Sequence, residues 1–284
     1  MVESFSFKNW FVEYSAEDGG RIKRLLYNGL DLLTREPAFF HPPVREHGRY
    51  EDRPVYGYDD CFPSVVACRY PNTNVNIPDH GELCWRRWEV VRGLDNLIFR
   101  VRSQILPLAF MRRMDFTKDS ILWSFETRND GTETFPFQHV MHPLIALSQL
   151  KSIEFPEFQT AFDWNEQMPL RLKGARDIGN YLINLPPRSY SMIFLQNVSA
   201  GHLKWTYNNG LNIMLTFPVE LFPTVGVWWN NCGYPEEDNI RRDECSFEPV
   251  PGFTSSLAQA YTDGNCLYVQ PGKCFKWQIK WEIS

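Results

Sequence analysis

The chain has 284 residues and a formal net charge of −5, from 29 basic and 34 acidic side chains. That balance excludes an overall basic footprint for nucleic acid or an anionic membrane surface. The 21 Phe, 12 Tyr and 10 Trp make up 15% of the residues, which excludes a disordered or low-complexity chain and argues against a helical bundle.

The first residues, Met1 to Phe5, lack a basic segment followed by an apolar run, so no secretory signal is expected. No run of about 18 apolar residues is present to cross a bilayer as a helix. An early hairpin is predicted to turn at Ser15–Gly20 into a strand over Arg21–Tyr27. A second turn at Asn28-Gly29 then leads to Leu30–Leu33. Residues 36–88 are rich in Pro, Tyr, Gly and charge and read as long loops over one end of the sheets.

Beyond them, alternation is the dominant period. Phe99, Val101, Ser103 and Ile105 alternate with polar residues, as do Ile121, Trp123, Phe125 and Thr127 before the turn at Asn129-Asp130-Gly131. A hairpin is predicted over His202–Phe217, with Asn208-Asn209-Gly210 supplying residues that tolerate positive φ. Phe275, Trp277, Ile279, Trp281 and Ile283 line one face of a last strand. Only short helices are expected, over 144–150 and 255–261. Strand after strand with Gly, Asn and Pro turns predicts an all-β, antiparallel sandwich or barrel, in one continuous domain over 1–284.

The seven cysteines, at 61, 68, 84, 232, 245, 266 and 274, contain no CxxC pair. Reduced thiols in a cytoplasmic protein are the simplest reading, and the spacings do not suit a structural zinc site. Nucleotide-loop, zinc-protease and nucleophile-elbow motifs are absent. His139 and His142 form an HxxH, but three residues along a strand point to opposite faces, so a shared metal is not expected. Arg86-Arg87, between Trp85 and Trp88, reads as a solvated pair or as a holder of an anionic group.

Four polar elements stand in apolar or Pro/Gly surroundings: His80 in Pro78–Leu83, His142 before Pro143, Glu248 before Pro249, and the pair Asp59-Asp60 before Cys61-Phe62-Pro63. A residue before Pro is pushed towards extended geometry, so His142 and Glu248 sit on restricted backbone. Taken singly, each is open to a structural or solvated role.

Together these segments resemble the aldose 1-epimerase (galactose mutarotase-like) family over most of the chain. The resemblance is carried in order by Gly19–Leu33, Asp59–Val65, Pro78–Leu83, His142–Leu147, Gly226–Pro235 and Phe247–Gly252. It is to a divergent branch. His80 is followed by Gly81-Glu82 where the galactose enzymes have two glycines, and their hydroxyl-fixing Arg and Asp have no clear match. The resemblance implies an antiparallel β-supersandwich with a sugar groove on one sheet. It also implies His142 as general acid, Glu248 as general base and His80 near the ring oxygen, with no metal or cofactor.

Asp59, Asp60, Glu82 and Arg86 are the expected hydroxyl contacts, and Trp228 or Trp229 the stacking platform. Neighbours on a strand point to opposite sides, so one of the two Trp is expected in the core. The implied partner is a monosaccharide or sugar derivative, with Arg86 and Arg87 leaving an anionic sugar open. The implied reaction exchanges α and β anomers. A sugar-binding protein without turnover, or another isomerase or lyase reaction using the same acid and base, remains open on the same scaffold.

Overall fold

The computed structural model describes residues 2–37, 49–172, 174–235 and 242–284. Its elements are mostly antiparallel strands, and they form two facing layers.

The first layer holds one sheet in the order Glu3–Phe7, Trp10–Ser15, Arg21–Tyr27, Tyr58–Cys61, Val140–Pro143. A second sheet runs Met168–Leu170, Thr160–Asp163, Ser189–Gln196, Thr224–Asn231, Asp243–Val250. The two meet where Ile145 and Cys245 exchange backbone hydrogen bonds, each 2.8 Å. This puts the strand carrying His142 beside the strand carrying Glu248. The opposite layer is an eight-stranded sheet with Cys274–Ile283, Ser120–Asn129 and Leu108–Phe116 at its centre.

The alternating runs pack these layers together. Trp123 meets Tyr58 at 4.9 Å between ring centroids, and Trp205 meets Phe247 at 5.5 Å. Burying such rings removes large apolar areas from water, at about 25 cal/mol per Å², and drives the assembly. The predicted hairpin forms as His202–Tyr207 and Asn212–Thr216, with Leu203, Trp205, Ile213 and Leu215 buried.

The helices depart from expectation. After Pro143 there is only a 3-10 turn, Leu147–Gln149, because the chain must return at once to the strand Leu150–Glu154. The helix near 255–261 is Leu257–Thr262, whose N-cap Ser256 side chain accepts from the Gln259 N–H. An unforeseen helix, Ala175–Ile183, buries Ile178 and Leu182, one turn apart.

The loop reading of 36–88 is also corrected. Residues 38–48 lie outside the described residues, but Tyr58–Cys61 is a fully buried strand inside the first layer. The run starting at Phe99 keeps its strand only to Arg102. No helix of the described residues is long and apolar enough to cross a membrane.

Candidate functional site

Strand alternation sorts the site residues. On Asp243–Val250, Cys245 and Phe247 enter the core between the layers, while Glu244, Ser246 and Glu248 take the other face. On Val140–Pro143, Met141 enters the core, and Val140 and His142 take that same outer face. Beneath it lies a second apolar cluster of Cys61, Val140, Phe194 and Val250. Directly opposite Glu248 on the next strand stands Gly226, where a Cβ would lie 3.0 Å from the Met192 methyl and 3.4 Å from Glu248 Cβ.

The result is a groove of about 290 Å³ whose lining includes His80, His142 and Glu248. His142 Nε2 lies 3.7 Å from Glu248 Oε1. The His80 and His142 rings are edge-to-face at 5.3 Å, and the Tyr50 ring stacks on His80 at 3.8 Å. The three residues singled out as acid, base and ring-oxygen contact therefore converge.

His80 is held by a tight turn. Its φ is +58°, its N–H donates to Val65 O at 2.6 Å, and the following Gly81 N–H donates to Pro78 O. Gly81 has φ +72°, and a Cβ there would collide with the Phe62 backbone carbonyl. Gly81→Ala should therefore cost at least about 1 kcal/mol from the left-handed backbone alone. A thermal melt of the variant checks this; an unchanged midpoint would mean the turn is looser than described.

Burial sets the proton chemistry. It pushes the Glu248 carboxyl up to about 7, against the smaller opposing pulls of the Ser246 hydroxyl and the His80 charge. Burial also holds His142 well below its usual range, reinforced by the charges of His80, Arg242, Arg21 and Arg53. Near neutral pH the pair thus holds one dissociable proton between a carboxylate and an imidazole.

The remaining expected contacts fall elsewhere. Asp59 faces His142 across the strands but is buried behind Tyr50, whose hydroxyl donates to Asp59 Oδ2 at 2.8 Å. Arg21 Nη1 lies 3.0 Å from the same oxygen. Asp59 is thus positioned to act on the groove through Tyr50. Asp60 points the other way, into the core, where Arg112 and His139 bind it. His139 is fully buried there, so the two His of the HxxH do point apart.

Glu82 is also fully buried, bonded to the Ser103 hydroxyl and the Gln104 N–H, and does not line the groove. Arg86 lines a different groove, on the far sheet with Arg100, Arg102 and Arg128. Trp228 lines the same groove as His80, His142 and Glu248, whereas Trp229 packs on the core.

Sequence reasoning missed Tyr50, Tyr190, Tyr234, Arg242 and Glu244, all in the groove lining. For Glu244 a signal existed: it lies four residues before Glu248, on the same face of an extended run. The others come from separate segments that only the fold brings together. Among the described residues no group of His, Cys, Asp or Glu is arranged to hold a metal ion.

Solved structures of low sequence similarity share this architecture. A protein from Synechocystis sp. PCC 6803 superposes with a TM-score of 0.76 at 15% identity, covering 100% of this chain and 96% of that one. A "putative aldose 1-epimerase" from Escherichia coli K12 gives 0.74 at 15% identity, over 100% of this chain and 99% of that one. A galactose mutarotase-like protein from Lactobacillus casei ATCC 334 gives 0.70 at 13% identity, with 100% of both chains covered. The fold is galactose mutarotase-like. No family model matches the sequence, and no curated protein matches it. At these identities the mutarotase-like likeness is one of fold, and function rests on the groove itself.

Proposed function

We propose that the protein is an aldose 1-epimerase, exchanging the α and β anomers of a hexose or hexose derivative. The observation that carries this reading is the His142–Glu248 pair, 3.7 Å apart, facing one open groove beside His80 and Trp228. An aldose 1-epimerase name among the structural neighbours supports the same reaction.

In the reaction, the shared proton, which rests on Glu248, first passes to His142; Glu248 then takes the proton from the anomeric hydroxyl while His142 protonates the ring oxygen. The C1–ring-oxygen bond breaks and the aldehyde forms. The C1 carbonyl then rotates. The freed hydroxyl returns its proton to His142 as it attacks the other face, and Glu248 reprotonates the new anomeric oxygen. The pair ends with the one proton it began with, so no redox partner or external acid is consumed. In this reading His80, held by its stack on Tyr50, hydrogen-bonds the sugar near the ring oxygen.

Because one proton on the pair serves both half-reactions, kcat/KM for anomer exchange should be bell-shaped in pH. It falls on the alkaline side near the Glu248 value of about 7, where the pair loses its proton. It falls on the acid side below the ordinary His range, where the pair gains a second. Polarimetry of fresh α-anomers over a sugar panel, corrected for buffer, reads the profile. A rate that climbs steadily from pH 7 to 9 would contradict the shared-proton mechanism.

A further inference from the structure

The groove continues past the reacting end. Glu244 and Glu248 lie on one face of the same strand, four residues apart, which sets their Cα atoms about 13 Å apart. A pyranose is shorter than that span; two linked rings match it.

The far end is also built. Trp228 stands opposite Ser246, two residues along the strands from Gly226 and Glu248 and on the same face. Its indole N–H donates to Glu244 Oε1 at 3.2 Å, which fixes the ring. Tyr190 and Tyr234 lie 5.7 and 5.6 Å from it between centroids, and the Tyr234 hydroxyl donates to Glu51 Oε1 at 2.9 Å. Arg242 lies over Tyr234 at 5.5 Å, with its Nε 3.4 Å from Glu244. Trp228, Tyr234, Arg242 and Glu244 are thus held by one another or by Glu51 before a ligand arrives, which lowers the ordering cost of binding.

We infer that this end is a second sugar subsite, and that the substrate is a reducing disaccharide whose free anomeric carbon lies at Glu248. The inference rests on the anomer-exchange reading for the location of that carbon. Flat aromatic faces suit the apolar face of a second ring. A guanidinium beside a carboxylate supplies donors and an acceptor to neighbouring hydroxyls. An anionic substituent fits less well, because Glu244 already pairs with Arg242 and Glu51 adds a second carboxylate to the same wall.

Isothermal calorimetry with maltose, cellobiose, glucose and glucose 6-phosphate tests the subsite. A disaccharide should bind at least tenfold tighter than glucose, and Arg242→Gln and Trp228→Leu should each reduce that ratio severalfold, with circular dichroism unchanged. Equal affinity for disaccharide and hexose overturns the subsite, as does tightest binding of the phosphate ester. Anomer exchange followed by NMR on the same sugars separates the two ideas. Disaccharide binding without exchange would contradict the epimerase reading and leave the subsite standing. Hexose exchange with no gain from a second ring would do the reverse, and no binding by any sugar would overturn both.

Discussion

Glu248→Gln should lower the rate of anomer exchange by a factor on the order of 10²–10⁴, the usual contribution of a positioned general base. Gln keeps the shape of the side chain and its place over Gly226, so binding should change little and the loss should appear in kcat. The size follows from burial: Glu248 is 2% exposed, and water has poor access to replace it as base. His142→Asn should give a loss of similar order, and the double variant should lose little more than either alone, because the two pass one proton between them. Stopped polarimetry of the variants checks this. If Glu248→Gln kept a rate within threefold of the parent, the carboxylate would have no part in proton transfer.

The second large effect is on stability. Arg112 and Asp60 are both fully buried, and His139 Nε2 lies 3.0 Å from the same carboxylate. Burial alone would raise the Asp60 carboxyl; the Arg112 charge, helped by His139 and Tyr58, overrides it and holds the group below its usual range. Arg112→Met removes the main compensation and strands a buried carboxylate, at a cost of about 3–5 kcal/mol. Asp60 lies on the strand that pairs with His142, so the damage reaches the groove. Urea denaturation of Arg112→Met and of the double variant Arg112→Met with Asp60→Asn measures the effect. The double variant should recover part of the loss, since it buries no unpaired charge. A single variant as stable as the parent would mean water reaches Asp60.

Asp59 and Asp60 mark the limit of what is legible in the sequence. The core strands were legible because one face of each alternates cleanly: Trp277, Ile279 and Trp281, or Trp123 and Phe125. Tyr58–Cys61 has no such pattern, because all four side chains are buried. Its charges are balanced by Arg21 and Arg112, far away in the chain, and by Arg53, six residues before Asp59, and no local window shows the whole set. The segment therefore reads as loop, with Asp59 and Asp60 as sugar contacts, whereas in the fold one anchors Tyr50 and the other the core.

His80, His142 and Glu248 were legible through ordered motifs, each with a backbone restriction next to it: Gly81, Pro143 and Pro249. Tyr50 was not, since its role depends on stacking with His80 and bonding to Asp59 across the fold. The aromatic excess likewise divides only in three dimensions. Trp88 and Trp229 went to packing and Trp228 to the groove, a choice that strand parity allows but does not assign.

The central claim is that the His142–Glu248 pair opens and recloses a sugar ring. It is tested most directly by proton NMR exchange between the α and β anomeric signals of a reducing sugar at equilibrium, with and without the protein. The account predicts exchange well above the buffer rate in the parent protein, falling to near that rate in Glu248→Gln. Exchange at the buffer rate across hexoses and reducing disaccharides, in a protein that binds them, would contradict it.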